Sequence, residues 1–383
     1  NTSSITVSSG AFFAVNRSDS VSQSTSFNKA ISGAGGFQQA GTGTTTLTLA
    51  NTYLGVTTVQ GGVLRYGIAN AISTGDVTIT SGAALDLATF NDSVGAVTLT
   101  SGTILGSGTL TSTSGFTLTS GSIQAPLAGS VGLTMQGSGR VPLSGANLYT
   151  GATTVSSGTL QMGNGSTAGS IGSSSSVAVS TNAIFAVNRS DNVTQGSSFF
   201  PAISGGGGFQ QAGSGTTTLA AINTYTGPTS VLGGALAITG TLAATPITVS
   251  TAAILGGSGT TAGSVTFGAG SKFLFNFAAA LPLNVGGNVT FSDPSTFGVD
   301  DIIGLDSSVA EGTYTLIAGN VNVTGLANLG SSNAYNLGSG KSAYFQQGSL
   351  QIVVVPEPTL ASVGAITAAG MILLARRKSR RDG

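Results

Sequence analysis

The chain has no cysteine, no histidine and no tryptophan in its 383 residues. Without cysteine it forms no disulfide, no zinc–thiolate site and no thiol nucleophile. Without histidine it lacks the commonest general base and metal ligand. Charge is scarce as well: Asp, Glu, Lys and Arg together make up 6% of the chain. The formal net charge of zero hides an asymmetry. Five of the twelve basic residues are Arg376, Arg377, Lys378, Arg380 and Arg381, while residues 1–375 hold seven basic and eleven acidic side chains, a body of about −4. That is not the basic footprint of a nucleic-acid binder, and no nucleic-acid partner is expected. Helical patterning is missing too: before residue 359 no stretch sustains apolar residues at i, i+3, i+4 and i+7.

What fills the chain instead is glycine, 60 residues of it, together with Thr, Ser, Ala, Val and Leu. A disordered chain is poor in branched apolar residues and rich in net charge, and this one is neither. Abundant glycine with many short β-branched runs reads as all-β with tight turns.

A block occurs twice. Phe13–Asp19 reads FAVNRSD, as does Phe185–Asp191, and GGFQQAG, GTTTL and NTY recur downstream with the same offset and no gap. The duplication spans 3–67 and 175–239, with a partial copy over 137–163. The positions that define the repeat are Asn51, Tyr53 and Gly55, Asn147, Tyr149 and Gly151, and Asn223, Tyr225 and Gly227. A finer unit lies inside it, an apolar–x–apolar strand followed by two small residues and a turn glycine. Val77–Ile79 with Gly82 and Val97–Leu99 with Gly102 are examples. Turn positions fall at a nearly regular interval, at 62, 82, 102 and 121 and again at 234, 252 and 270, with longer insertions at 10–62 and 182–234.

Two or three short strands and their corners use roughly 20 residues, one coil of a solenoid. Alternation directs Val, Ile, Leu and Phe inward and Thr or Ser outward. Asparagine at 51, 147 and 223 suits a bend, and glycine at the turns accepts positive φ. Stacked at ~4.8 Å, about 15 such coils make a rod on the order of 70 Å long. The fold expected is therefore an all-β parallel β-helix (β-solenoid) over 1–270. A series of β-sandwiches is the rival, but each sandwich needs about 100 residues. Residues 271–352, with Phe273, Phe275 and Phe277 alternating and closing strands near Tyr314 and Leu350, read as a β cap.

The last segment, 353–383, changes character. Val355, Pro356, Glu357 and Pro358 break any preceding strand. Thr359–Ala375 follows, a run without a single charge. As a helix it reaches about 26 Å, enough for a short transmembrane span. The cluster Arg376, Arg377, Lys378, Arg380, Arg381 then acts as a membrane stop that keeps the tail cytoplasmic.

Two resemblances join these readings. Gly41–Leu64, through Asn51, Tyr53, Gly55, Thr57, Val59, Gly62 and Leu64, resembles the autotransporter-associated β-strand repeat, and so do Asn147–Leu160 and Asn223–Leu236. That family implies a parallel β-helix at a bacterial cell surface. The C-terminus resembles the PEP-CTERM sorting signal, with Pro356-Glu357-Pro358, a short hydrophobic span and an Arg-rich end. By that resemblance the membrane enzyme exosortase is the processing partner and Val355 to Pro358 the processing site. The setting it implies is a Gram-negative envelope with exopolysaccharide, the inner membrane holding the tail before processing.

Catalysis finds little to work with. The first 290 residues contain only Asp19, Asp76, Asp86, Asp92 and Asp191 as acids, whereas glycoside hydrolysis needs two carboxylates about one bond. No cofactor is expected. Asp293, Asp300 and Asp301 are the candidates for calcium, whose oxygen ligands need neither His nor Cys, but they also read as turn residues. The repeated tyrosines either stack along the rod or line a glycan-binding face. The reading is a non-enzymatic exported surface or matrix protein. A membrane-anchored adhesin and a polysaccharide-active β-helix enzyme are the alternatives.

Overall fold

The computed structural model describes residues 4–171, 174–197, 199, 202–321, 325–346 and 350–357. The helix expected over 359–375, Pro358, and the Arg376–Arg381 cluster all lie outside these residues. Among the described residues no helix is long and apolar enough to cross a membrane; there is a π-helical turn at Gln23–Phe27 and 3-10 turns at Pro294–Thr296, Val299–Asp301 and Ser331–Asn333.

Most of the chain winds as a ladder of short strands into a parallel β-solenoid of about 14 turns. The first coil consists of Ser4–Val7, Phe12–Val15 and Val21–Ser22, and each strand pairs in parallel with its counterpart one coil on. Thus Phe13 lies over Phe37, Phe37 over Thr57, Thr57 over Val77 and Val77 over Val97. Coils differ in length: the step from Phe116 to Leu133 is a short one and that from Ser4 to Ala30 a long one. The spans 10–62 and 182–234 each contain one lengthened coil, stepping from Phe13 to Phe37 and from Phe185 to Phe209, followed by one of ordinary length that reaches Thr57 and Thr229. In the first span the extra chain includes the π-helical turn Gln23–Phe27.

The strands alternate as a half-buried strand should, and Val77, Ile79, Val97, Leu99, Leu118 and Leu133 are fully buried in one continuous interior. No single coil has enough apolar area to hide its own inner face, so stacking supplies the stability.

The two copies of the duplicated block do not sit on the same side of the rod. Thr57–Val59 and its partial-copy equivalent Thr153–Val155 both belong to a ten-stranded sheet that ends at Ile203–Ser204. Their third equivalent, Thr229–Val231, stacks instead between Phe209–Gln211 and Ile247–Val249 on a different side. The extra residues after Met162 feed Val177–Val179 into the ten-stranded sheet, although its first-copy equivalent, Ser4–Val7, lies outside that sheet. The second copy is thus turned by one side of the three-sided coil while keeping all its coil-to-coil partners. The sides are interchangeable because each asks the same of a strand, one inward and one outward row.

The turn between two sides explains much of the glycine. In Ser8–Ala11 the Ala11 N–H donates to the Ser8 carbonyl and Gly10 takes φ +78°. The same turn recurs at Ser180–Ala183 with Asn182 at +66°, and at Ser250–Ala253 with Ala252 at +62°. Asparagine tolerates the left-handed region; alanine does so only with strain. Ala252→Gly is expected to stabilise the protein by about 0.5–1 kcal/mol after the entropic cost of glycine is subtracted. Chemical denaturation of the two proteins checks this, and an unchanged or lower midpoint would mean the turn relaxes without glycine.

Parallel stacking carries on beyond residue 270. Lys272–Leu274 pairs with Ile254–Gly256 and with Ile302–Ile303, and Leu283–Phe291 pairs with Gly312–Val321, all in parallel. The direction reverses only at the end, where Leu350–Pro356 pairs antiparallel with both Gly312–Val321 and Lys341–Phe345, and Lys341–Phe345 pairs antiparallel with Tyr335–Gly338. The last core layers are filled by rings: Phe291 lies 5.2 Å from Phe267 and 4.6 Å from Phe297, which stacks on Phe345. Reversed strands close the ladder on the side of Gly312–Val321, and bulky rings fill the layer beneath them.

Candidate functional site

The repeat-defining residues come together inside the rod. The Asn51 side chain is buried at a corner. Its Oδ1 accepts the Ile31 N–H of the preceding coil at 2.8 Å, and its Nδ2 donates to the Ala71 carbonyl of the following coil at 2.6 Å. Asn147 repeats this with Leu127 and Ser170, and the Asn223 Oδ1 accepts from Ile203. An amide is the right group for the post, since one side carries an acceptor and the other a donor. Each asparagine is a clamp between successive coils.

Buried glutamines, which sequence reasoning missed, extend the clamps. Gln23 donates to Asn51 Oδ1 at 2.7 Å and accepts from Thr48 and Leu49; Gln195 contacts Asn223 in the same way. Gln39 and Gln211 each take a 2.5 Å bond from an inward threonine, Thr45 and Thr217, and donate to two glycine carbonyls at the corner. The available signal was an amide that recurs at a strand end in both copies of the duplicated block.

The repeated tyrosines are interior as well. Tyr53, Tyr149 and Tyr225 are all fully buried, so they do not line a glycan-binding face. Nor do they stack on each other: Tyr53 stacks on Phe37, while Tyr149 and Tyr225 lie tilted against Phe116 and Phe209, with ring centroids 6.3 Å apart in each pair. Each hydroxyl meets a threonine four residues on, at 2.5, 2.8 and 2.7 Å. Thr57, Thr153 and Thr229 therefore point inward, against the expectation that threonine faces out, because burying a phenol requires a partner. In two repeats the chain goes further: Thr229 meets Thr245, which donates to the Gly227 carbonyl, and Thr153 meets Ser174, which donates to Gly151. Burial pushes all three tyrosines well above the usual phenol range.

The repeat glycines serve closeness rather than turn geometry. A Cβ on Gly55, Gly151 or Gly227 would stand 2.6, 2.3 or 2.4 Å from a backbone carbon of the adjacent coil.

One rung is different. Asp92 is buried and its Oδ2 accepts the Ile72 N–H of the preceding coil at 3.4 Å, as the asparagines do. Its Oδ1 accepts from Ser93 at 2.7 Å. A carboxylate cannot donate to the following coil, and burial pushes this one up to about 6. The Tyr66 hydroxyl is buried within its electrostatic reach and has no partner in hydrogen-bonding geometry.

The outward ionisable groups are structural in geometry. Arg17 grips Asp19 through two bonds of 2.8 and 2.6 Å, Arg189 grips Asp191 at 2.8 and 2.7 Å, and each arginine holds its carboxylate below the ordinary range. Arg65 stands 3.3 Å from Asp86. Asp293 accepts from Ser295, and Asp301 accepts the Gly298 N–H in the turn that also holds Asp300. Among the described residues no three acidic groups gather to hold a metal ion. Near the end, the strand Leu350–Pro356 runs through Val355 instead of breaking before it. Pro356 is its last residue, opposite Lys341, and the Glu357 N–H donates to the Gly340 carbonyl. A proline is tolerated at a strand end because no ladder donor is needed there. A cleft of about 700 Å³ opens beside Phe275, Phe277 and Tyr314, whose rings meet edge to face at 4.8 and 5.0 Å.

A parallel ladder of coils tied by buried Asn and Gln bonds, with Tyr–Thr pairs inside each repeat, defines a repeat β-solenoid. Three of its segments, 37–65, 133–162 and 209–238, match the passenger-associated-transport-repeat family, and they contain the three Tyr–Thr pairs and the three asparagine clamps. Among curated proteins, the chain is similar to the Adhesin BmaC autotransporter of Brucella suis biovar 1 (strain 1330), 34% identical over 241 residues. That likeness covers 52% of this chain and 7% of the adhesin, so the chain spans a small part of its relative's length. No solved structure matches it.

Proposed function

We propose that the chain is a non-catalytic rod displayed at the surface of a Gram-negative bacterium, built as passenger-type coils and serving a structural or adhesive role. The observation that carries this reading is the direction of the repeat: its Asn and Tyr are buried, the Asn bonds neighbouring coils together, and its Gly lies against the backbone of the next coil. What the repeat preserves is the rod, and what it presents is a Thr- and Ser-rich exterior almost without charge. The resemblance to an adhesin favours contact with other surfaces. With the tyrosines interior, contact with exopolysaccharide falls to those outer hydroxyl rows and to the cleft beside Phe277 and Tyr314.

The reading extends to the tail. Residues 359–375 hold the exported body in the inner membrane, the Arg376–Arg381 cluster stops translocation, and an exosortase-type enzyme processes the chain at Val355–Pro358. Protease treatment of intact cells tests display, and mass spectrometry of the protein recovered from untreated cultures tests processing. External protease removes the body from treated cells, and the form secreted by untreated cells ends near Val355. An intact tail selects the permanently anchored adhesin, and a body protected from external protease in whole cells overturns surface display.

A further inference from the structure

The ten-stranded sheet has an outer face that the clamps inside the rod leave unused. Its middle strands read TTV, VTI, VTL, FTL, LTM and TTV, and in each the central threonine points out between two buried neighbours. These threonines stand in register on successive coils: Thr58 beside Thr78, then Thr98, Thr117, Thr134 and Thr154, with no bulge to shift the row. The row therefore repeats at the coil spacing of about 4.8 Å. A second row runs two residues further along each strand, about 6.7 Å away. There Thr80, Thr100 and Thr119 follow one another, half-buried or exposed.

The chemistry of this face narrows what it can hold. Threonine is branched at Cβ and stiff at χ1, so each methyl and hydroxyl group has a fixed place. Among the described residues none of the first row's hydroxyls has a hydrogen-bond partner. A sugar ring is held by outward aromatic faces, and the ring in these strands, Phe116, is buried. Protein partners are anchored by aromatic or arginine side chains, and none faces outward within two residues of the row. Acidic polymers and membranes need clustered basic charge. The ionisable side chain that close to the row is Asp76, whose Oδ1 already accepts the Ala96 N–H at 2.7 Å. What is left is a partner that brings its own regular array of donors and acceptors.

We propose that this face binds ice. Ordered water at the crystal surface takes the threonine hydroxyls, and the methyl groups between them sit in hollows of the lattice. The two spacings lie close to the oxygen repeats of an ice prism face, so a rung that fits brings the next rung into place. A rigid row loses no side-chain freedom on contact. The side of the rod that carries the second copy lacks this surface. Ser230, Thr248 and Thr266 align there, but Leu232 projects beside them, 50% exposed, and the Thr266 hydroxyl is bonded to Thr290. The inference is independent of the surface role proposed above, because it concerns the protein in solution.

Ice grown slowly from a solution of the full chain is the test. The chain should enter the ice in a higher proportion than a non-binding protein of similar size, facet the growing crystal, and depress its freezing point below its melting point. Thr98→Tyr keeps a strand-favouring residue but holds the lattice off the middle of the row, and should lose all three effects. Thr248→Tyr, on the other side, should keep them. Melting temperatures establish that the variants are folded. Where Thr98→Tyr lowers its own, Thr100→Tyr, at an exposed position of the second row, serves instead with the same expected loss. Exclusion of the unmodified chain from the ice, in the same proportion as the reference protein, overturns the inference. So does full activity in a folded Thr98→Tyr protein, or an equal loss in Thr248→Tyr.

Discussion

Replacing Tyr225 with alanine is expected to lower stability by about 3–5 kcal/mol, the range for deleting a buried aromatic ring. The ring is fully enclosed, with Phe209 on one side. The loss is not confined to packing. The Tyr225 hydroxyl heads a line of bonds through Thr229 and Thr245 to the Gly227 carbonyl, so truncation also leaves Thr229 one partner short. Tyr225→Phe separates the two contributions. It keeps the ring and removes one hydrogen bond, at a cost of about 1 kcal/mol, since Thr229 still has Thr245. Denaturation midpoints of the two variants are therefore well apart. A tyrosine whose work is contact with sugar gives the reverse pattern, with polysaccharide retention falling in both variants and the midpoint unmoved in either.

That tyrosine also marks how far the sequence could be followed. The strands were legible because T-x-V and V-T-I alternate with a period of two, and the coil because turn glycines such as Gly62, Gly82 and Gly102 return at an even interval. The direction of the first threonine in Thr57-Thr58-Val59 was hidden. Alternation fixes Thr57 and Val59 to the same side, but the usual rule of thumb, threonine outward, points the other way for Thr57. Its inward position follows only once Tyr53 is known to be buried and in need of a partner. The turn of the second copy by one side was also unreadable. It depends on how much chain after Met162 is used to go around a corner, and the short coil at Phe116 and the long one at Ser4 satisfy the same pairing. The region from 271 looked separate because its glycine spacing lapses and its rings multiply, yet the ladder beneath it stays parallel as far as Gly312–Val321.

Asp92→Asn is expected to stabilise the protein at pH 7 by about 2–3 kcal/mol, and the gain should fade as the pH falls toward 4. Asp92 stands where other coils have an asparagine, accepting an amide of the coil before it. Nothing in Asn91-Asp92-Ser93 announces this, because the triplet reads as a surface turn. The folded-state value of about 6 lies above the ~3.9 of an unfolded aspartate. The sign follows from proton counts. Between those two values the folded chain binds more protons than the unfolded one, so stability falls as the pH rises through this window. Above pH 6 the buried carboxylate is charged and the full penalty, about two pK steps at roughly 1.4 kcal/mol each, is present. Below pH 4 it is neutral in both states and the penalty is gone. Asparagine is neutral throughout, keeps the acceptor toward Ile72, and regains the donor that Asn51 and Asn147 aim at the following coil. The other carboxylates also titrate, with Asp19, Asp191 and Asp306 held low and Asp301 raised. The informative quantity is therefore the difference between the two proteins at each pH, from which those groups cancel. A difference that is flat from pH 4 to 8 would mean Asp92 is not buried as a charge. A difference that grows toward low pH would mean its carboxylate is the better clamp.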